Sequence, residues 1–359
     1  MAGLAVADPS EAAGPFVAGA GPTPGARSRQ DYLEQRLFVV SPLGVWSTGA
    51  ALYLLLAGLY ALALAADGGS WLTAGPAGLS LTGPSRIALV LAFIVVAVLT
   101  LQRYSRLRDE ADAPILARVL DEGASWIPPD HAALRLRTMT AVGAVVSLML
   151  SLLSLPRAHA SGAYATFAWF LGVSTLLGML FFRGVELTRM GSRHAAGLVR
   201  GLKIDLLRID DLFPWGRAAA RTAMIWFTVS AATCFMFGEN GLSLAVVAML
   251  LACAGIGVWV FVSTLSLIHH RIRAAKGEAL EGLRDEIAAA RGRLDDDPAA
   301  PARLQSLLAY EARIAAAPEW PFDQTILVRV GASALILTVP WFGQAFAGLM
   351  VEHLGKAFQ

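Results

Sequence analysis

Residues 269–323 read HHRIRAAKGEALEGLRDEIAAARGRLDDDPAAPARLQSLLAYEARIAAAPEWPFD. This is the longest polar stretch of the chain, and an apolar run borders it on each side. Ile272, Leu280, Leu283, Ile287 and Leu294 recur at helical spacings, while Glu278, Glu281, Arg284 and Arg291 fall on other faces. Asp295, Asp296, Asp297 and Pro298 break the pattern, and Leu304, Leu307, Leu308 and Ile314 form a second stripe. Two stripes joined by a breaker predict an antiparallel helical hairpin, with Leu283 and Leu307 on its apolar faces. The acidic triplet fits a solvated turn. A calcium loop would spread its ligands over about twelve residues, with a central Gly and a terminal Glu.

The runs on either side set the class. The chain is 56% hydrophobic and 16% charged, with mean hydropathy +0.58, whereas a soluble domain is nearer a quarter charged. Its apolar residues gather in runs, and runs of roughly 18 or more are membrane-span candidates. The pattern predicts spans at 44–66, 86–102, 139–156, 163–182, 222–237, 242–268 and 324–350, the last bent at Pro340. The expected fold is all-α: a polytopic bundle of about seven spans with a cytoplasmic helical hairpin. Residues 1–29 are expected to be a disordered leader, since 1–26 are rich in Ala, Gly and Pro and carry no Lys or Arg. Residues 30–268 hold six spans in three hairpins, entered through a short amphipathic approach that includes Arg36. Residues 269–323 form the polar hairpin, and 324–359 the last span and a short tail.

Charge placement predicts the threading. Lys and Arg accumulate on cytoplasmic loops. Three lie in the N-terminal segment, six in 103–138, eight in 183–221 and eight in 269–323. With Arg329, that side holds 26 of the 29. Only Arg86, Arg157 and Lys356 fall opposite. Seven spans with a cytoplasmic N-terminus fit this split.

Three junctions share a pattern: Trp126-Ile127-Pro128-Pro129, Leu212-Phe213-Pro214-Trp215 and Trp320-Pro321-Phe322. Trp and Phe favour the headgroup level, and Pro suits the first helical turn. Trp126, Trp215 and Trp320 are therefore expected at that depth, with Asp323 suiting the positive end of the last helix. The stretch 183–221 carries eight Lys/Arg against four Asp/Glu. There Leu198, Val199, Leu202, Ile204, Leu206 and Leu207 are interspersed with Arg200, Lys203 and Arg208. That composition suits a helix on an anionic headgroup surface, or equally one packed on its own bundle.

Most chemistry is missing from the pattern. The centres of the predicted spans contain no Asp, Glu, Lys, Arg or His, which disfavours a proton-coupled carrier. Gly49, Gly143, Gly172, Gly255 and Gly257 suit close helix packing. Gly255-Ile256-Gly257 lies inside a span, without the context of a phosphate loop. Cys234 and Cys253 sit in apolar runs as small packing residues. His269 and His270 are adjacent and point apart, unlike the i, i+4 pairs that bind metals. No catalytic grouping, cofactor, metal or nucleic-acid site is read from the sequence.

Leu307-Leu308-Ala309-Tyr310-Glu311-Ala312-Arg313-Ile314, then Glu319-Trp320-Pro321-Phe322-Asp323, then Pro340-Trp341 in the last span, resembles uncharacterised bacterial multi-pass membrane proteins. The resemblance covers the last 50–90 residues and implies membership without an activity. The Ala/Arg/Leu/Gly-rich composition suits a bacterial inner membrane. The expected function is a non-enzymatic scaffold that docks a cytoplasmic partner, or a second copy, through the hairpin, with Leu283 and Leu307 as candidate contacts, and the junction Glu319, Trp320, Pro321, Phe322 and Asp323. The alternatives are a pore or carrier for a neutral or apolar solute, and an enzyme acting on lipids. A reporter active only in the cytoplasm, fused after Gln359, is expected to stay silent. Strong activity there contradicts an odd number of spans.

Overall fold

The computed structural model describes residues 33–75, 78–120, 133–236, 244–294, 298–322 and 328. The predicted leader, the Trp126 junction, the acidic turn 295–297, Asp323 and all but Val328 of the predicted last span lie outside these residues.

Nearly all of the described chain is helical. α1 (Leu33–Val40) is the amphipathic approach, and it buries Phe38 while leaving Leu37, Val39 and Val40 exposed. α2 (Val45–Ala66) leads into a hairpin of β1 (Leu72–Gly75) and β2 (Gly78–Leu81), with Leu72 opposite Leu81. This connection reads as a loop in the sequence. Gly75 and Gly78 flank its turn and form the last pair of the ladder. α3 (Gly83–Leu116) starts where the Thr82 hydroxyl accepts the Ser85 N–H, with Pro84 in the first turn. α4 (Ala133–Leu152) is followed by α5 (Leu155–Ser161), a short helix where a tight turn was expected. Gly162 closes it with φ 71°, a left-handed conformation that costs glycine little. α6 (Tyr164–Arg200), a 3-10 turn (Ile209–Leu212), α7 (Phe213–Cys234), α8 (Leu244–Arg291) and α9 (Ala300–Ala316) complete the series.

Contacts between helices set their directions. Gly49 of α2 abuts Thr100 of α3, and Tyr60 reaches Ser85, so these two are antiparallel. Trp169 of α6 donates to the Leu56 carbonyl of α2. At the far end of α2, Asp67 accepts the backbone N–H groups of Ala165 and Thr166 and the Thr166 hydroxyl, at 3.0, 2.7 and 2.7 Å. These donors, the Thr166 backbone first, hold the Asp67 carboxyl below its ordinary range. They also satisfy orphan groups at the start of α6. Gly143 of α4 meets Gly178 of α6. Arg217 of α7 meets Asp112 of α3, and Trp226 meets Thr188 of α6. α8 lies antiparallel to α7, with Gly257 against Phe227, and Ile268 in one cluster with Trp215. Thus α3, α6 and α8 run one way, and α2, α4 and α7 the other.

Among the described residues, five helices are long and apolar enough to cross a membrane. They span Val45–Ala66, Gly83–Leu116, Leu134–Leu152, Tyr164–Arg200 and Leu251–Arg291. The predicted span 86–102 is short, yet it lies in 34-residue α3, the most deeply buried of the five. The predicted span 222–237 falls largely in α7, which is not one of the five. Pro214 to Ala223 and Trp226 to Thr233 include most of its buried positions. A helix shielded by neighbours can keep Ala, Ser and Thr that a lipid-facing helix would replace.

α3, α6 and α8 share another property. Each continues unbroken past its apolar run into residues that read as a separate polar segment, reaching 34, 37 and 48 residues. At 1.5 Å per residue α8 is ~70 Å long, against ~30 Å of hydrocarbon in a bilayer. The three overshoot at the same end. Two cores result. One joins Leu91, Ile94, Val95, Val98, Leu180, Trp226 and Cys253 at the level of the apolar runs. The other joins Leu116, Val199, Leu202, Leu212, Trp215, Ile268 and Ile272 in the overshoot.

α4 packs chiefly on α6. A Cβ on Gly143 would collide with the Gly178 carbonyl, and one on Gly178 with Ser147. Gly49 and Gly257 are tight in the same way, whereas Gly172 and Gly255 face open space, contrary to expectation. Gly143→Leu is expected to lower stability in detergent by about 1–3 kcal/mol, the usual cost of overpacking. Gly172→Ala is expected to leave the melting temperature unchanged.

Candidate functional site

The predicted docking junction is built against the chain's own helices. The His269 ring of α8 stacks on Trp320, with centroids 4.1 Å apart and planes at 12°. Its Nδ1 lies 3.0 Å from the Glu319 carbonyl oxygen. About two turns further along α8, Lys276 donates to the Ala317 carbonyl at 3.0 Å and lies 3.5 Å from the Glu319 carboxylate. Pro321 is buried, and a side chain on Gly216 of α7 would strike its carbonyl. Phe322 is half-buried beside Phe261 of α8. His269 thus helps to clamp the junction. Of the described junction residues, Trp320 leaves most surface free, at 42% exposed.

Beyond the clamp, α9 lies on the distal part of α8. Arg284 pairs with Glu311 at 3.5 Å. Partners rise in number along α9 as they fall along α8, so the two are antiparallel. Leu283 and Ala290 of α8 and Ala300 and Ile314 of α9 are buried, and Leu307 is half-buried. Leu283 is thus a packing residue of its own chain, which corrects its expected place on a partner surface. The outer surface carries Leu294, Leu308 and Tyr310 instead. The distal polar face of α8 presents Glu278, Glu281 and Asp285.

Between the two cores lies a layer of charge that runs of sequence do not reveal. Arg217 of α7 contacts Asp112 of α3 at 2.8 Å, and Arg221 contacts both Asp109 and Asp112. On α6, Arg183 and Glu186 are both buried, one residue and four residues past the predicted end of their span. Arg135 of α4 reaches Glu186 at 2.8 Å. The Arg135–Glu186 pair is costly to break, because the remaining carboxylate stays buried. Nearby, Val98, Gln102, Leu177, Phe181 and Trp226 line a cleft of about 30 Å³, room for roughly one water.

The predicted headgroup contacts divide. Trp215 is fully buried in the second core, which corrects its expected place at the lipid headgroups. Leu212–Trp215 still begins a helix, with Pro214 in its first turn. Arg200, Lys203 and Arg208 are exposed, but Val199, Leu202 and Ile209 between them are buried in the second core. The helix ends at Arg200. So the apolar residues of this stretch pack on the bundle, and Arg200 stands ~25 Å along α6 from Arg183.

No protein-family model, curated protein or solved structure matches this chain.

The clamp generates a prediction. Gly216→Val is expected to lift Pro321 and Phe322 from α7, and so to speed proteolysis between Ala317 and Phe322. Gly277→Ala, with open space around its Cβ, is expected to leave the cleavage rate unchanged.

Proposed function

We propose that the chain is a multi-pass protein of a bacterial inner membrane that acts as a non-enzymatic docking scaffold. In this reading the overshooting end of the bundle faces the cytoplasm, as its share of Lys and Arg suggests. α7 crosses in the shelter of its neighbours, and with 324–350 the spans number seven. The paired α8 and α9 project as a rod that another protein, or a second copy, binds on its outer faces.

One observation carries the reading. α8 runs without a break from the apolar core to Arg291, and α9 returns along it to a clamp on α7 and α8. A connection between two spans needs only a few residues. A rod ~30 Å long beyond Ile272, locked at its base, is a costly linker and a rigid handle. Force or contact at its tip reaches α7 through Pro321 and Gly216.

The binding surface assigned to the rod is its outer face, with Leu308 and Tyr310 about half exposed at 47% and 43%. The double variant Leu308→Asp/Tyr310→Asp is expected to keep its helicity and melting temperature, since neither residue is buried. It is also expected to lose the oligomeric size or the co-purifying proteins of the wild type. Unchanged size and unchanged companions in a folded variant refute the docking role. Deletion of 274–316 across a short linker makes the coarser test, with the same two readouts.

A further inference from the structure

The α4–α6 seam ends in an arrangement that packing alone does not explain. Two guanidiniums converge on one carboxylate. Arg135 of α4 approaches Glu186 at 2.8 Å, and Arg189 of α6 approaches its other oxygen at 3.8 Å. The Glu186 side chain is only 4% exposed, so it can neutralise one of them and offers little to solvent. The arginine side chains are 48% and 38% exposed. Within this trio one positive charge is left over at the surface. Nε of Arg189 and Oε1 of Glu186 are both buried without a hydrogen-bond partner among the described residues, so the exposed ends of the two guanidiniums are what faces a ligand.

The position of the pair says what kind of anion could complete it. The apolar part of α6 stops at Phe182, one turn before Glu186. The apolar part of α4 begins at Met139, one turn after Arg135. Towards the middle of the bundle, the same side of α4 offers Val142, Val145, Val146 and Met149, all exposed. α4 is the least buried of the five membrane-capable helices. A charged end and an exposed apolar flank therefore adjoin at the depth where a bilayer changes from acyl chain to headgroup. Guanidinium groups match phosphate geometry.

We infer that Arg135 and Arg189 form a binding site for the phosphodiester of an anionic membrane lipid, whose acyl chains lie along the exposed flank of α4. Glu186 orients the two guanidiniums and leaves them one net charge to offer. The site rests on the reading of these helices as membrane spans. It differs from the sequence expectation, which put headgroup contacts at Arg200, Lys203 and Arg208.

The test uses the full-length chain purified in a neutral detergent. Native mass spectrometry counts retained lipid during parallel titrations with phosphatidylglycerol, phosphatidylcholine and inorganic phosphate. Phosphatidylglycerol is expected to bind in preference to phosphatidylcholine, and inorganic phosphate is expected not to displace it. Arg189→Gln keeps the Arg135–Glu186 pair and is expected to weaken phosphatidylglycerol binding about fivefold, the weight of one basic side chain at an anionic surface. Arg200→Gln is expected to bind as the wild type does. If Arg189→Gln does not fold, Arg135→Gln leaves Glu186 paired with Arg189 and removes the same surplus charge, and the same loss is expected. Wild-type binding by either folded variant overturns the site. So does equal binding of phosphatidylcholine, or displacement by inorganic phosphate, which would mark a free-anion site. Flotation with phosphatidylcholine vesicles separates two kinds of failure. A chain that does not float refutes the membrane reading and this site together. One that floats without a preference for phosphatidylglycerol refutes the site alone.

Discussion

Arg221 of α7 stands between Asp109 and Asp112 of α3, and that contact sets the register of the bundle. Asp112 also takes Arg217, one turn earlier. The pairs join segments about 105–112 residues apart. Sliding α7 by one turn would separate them and leave partly buried charges without partners, which typically costs several kcal/mol. The neighbouring apolar contacts are less particular, since Leu, Val and Ala tolerate modest sliding. With the charges in register, Trp226 falls beside Thr188 and Trp215 falls into the second core. Gly216 is then left open for the Pro321 carbonyl. The clamp on the junction thus depends on a charge layer that begins at the next residue, Arg217, and reaches Arg221 about a turn and a half away.

Much of the architecture is legible in single residues. The apolar runs mark the helices, because a chain in lipid must satisfy its backbone internally. Val45–Ala66 and Tyr164–Phe182 agree with their predicted spans to within a residue or two at the starts. Leu283 and Ile314 lie on predicted stripes and are buried. What the sequence obscures is where a helix ends. Composition changes sharply at Arg103, Arg183 and His269, so these positions look like boundaries. The i to i−4 hydrogen bond does not depend on side-chain polarity, and neither Pro nor a Gly pair interrupts α6 or α8 there. The helices therefore continue.

The site was less legible, for a different reason. Trp215 looks like a headgroup anchor because it neighbours Pro214 at a helix start, and that local feature is correct. Its burial depends on Leu116, Val199 and Ile268, drawn from three other helices. Glu186 looks like part of a basic loop until α4 is placed beside it. His269 gives no hint of a partner 51 residues further on. Of five glycines that suit close packing, Gly143, Gly49 and Gly257 meet neighbours and two do not, and nothing in their flanks separates the groups. The pattern of a run says that a face is buried. It does not say against what.

The common direction of α3, α6 and α8 has an electrostatic consequence. Inside the apolar layer their peptide dipoles are opposed by those of α2, α4 and α7. Past that layer α9 still opposes α8, but α3 and α6 present carboxyl ends with less opposition, each equivalent to roughly half a negative charge. Arg200 lies in the last turn of α6, and Arg291 in the last turn of α8. Arg271 reaches across to donate to the Arg200 carbonyl at 3.3 Å. Some of the basic residues at this end thus offset a field that the bundle itself generates. Its outward potential is correspondingly weaker than a count of Lys and Arg suggests.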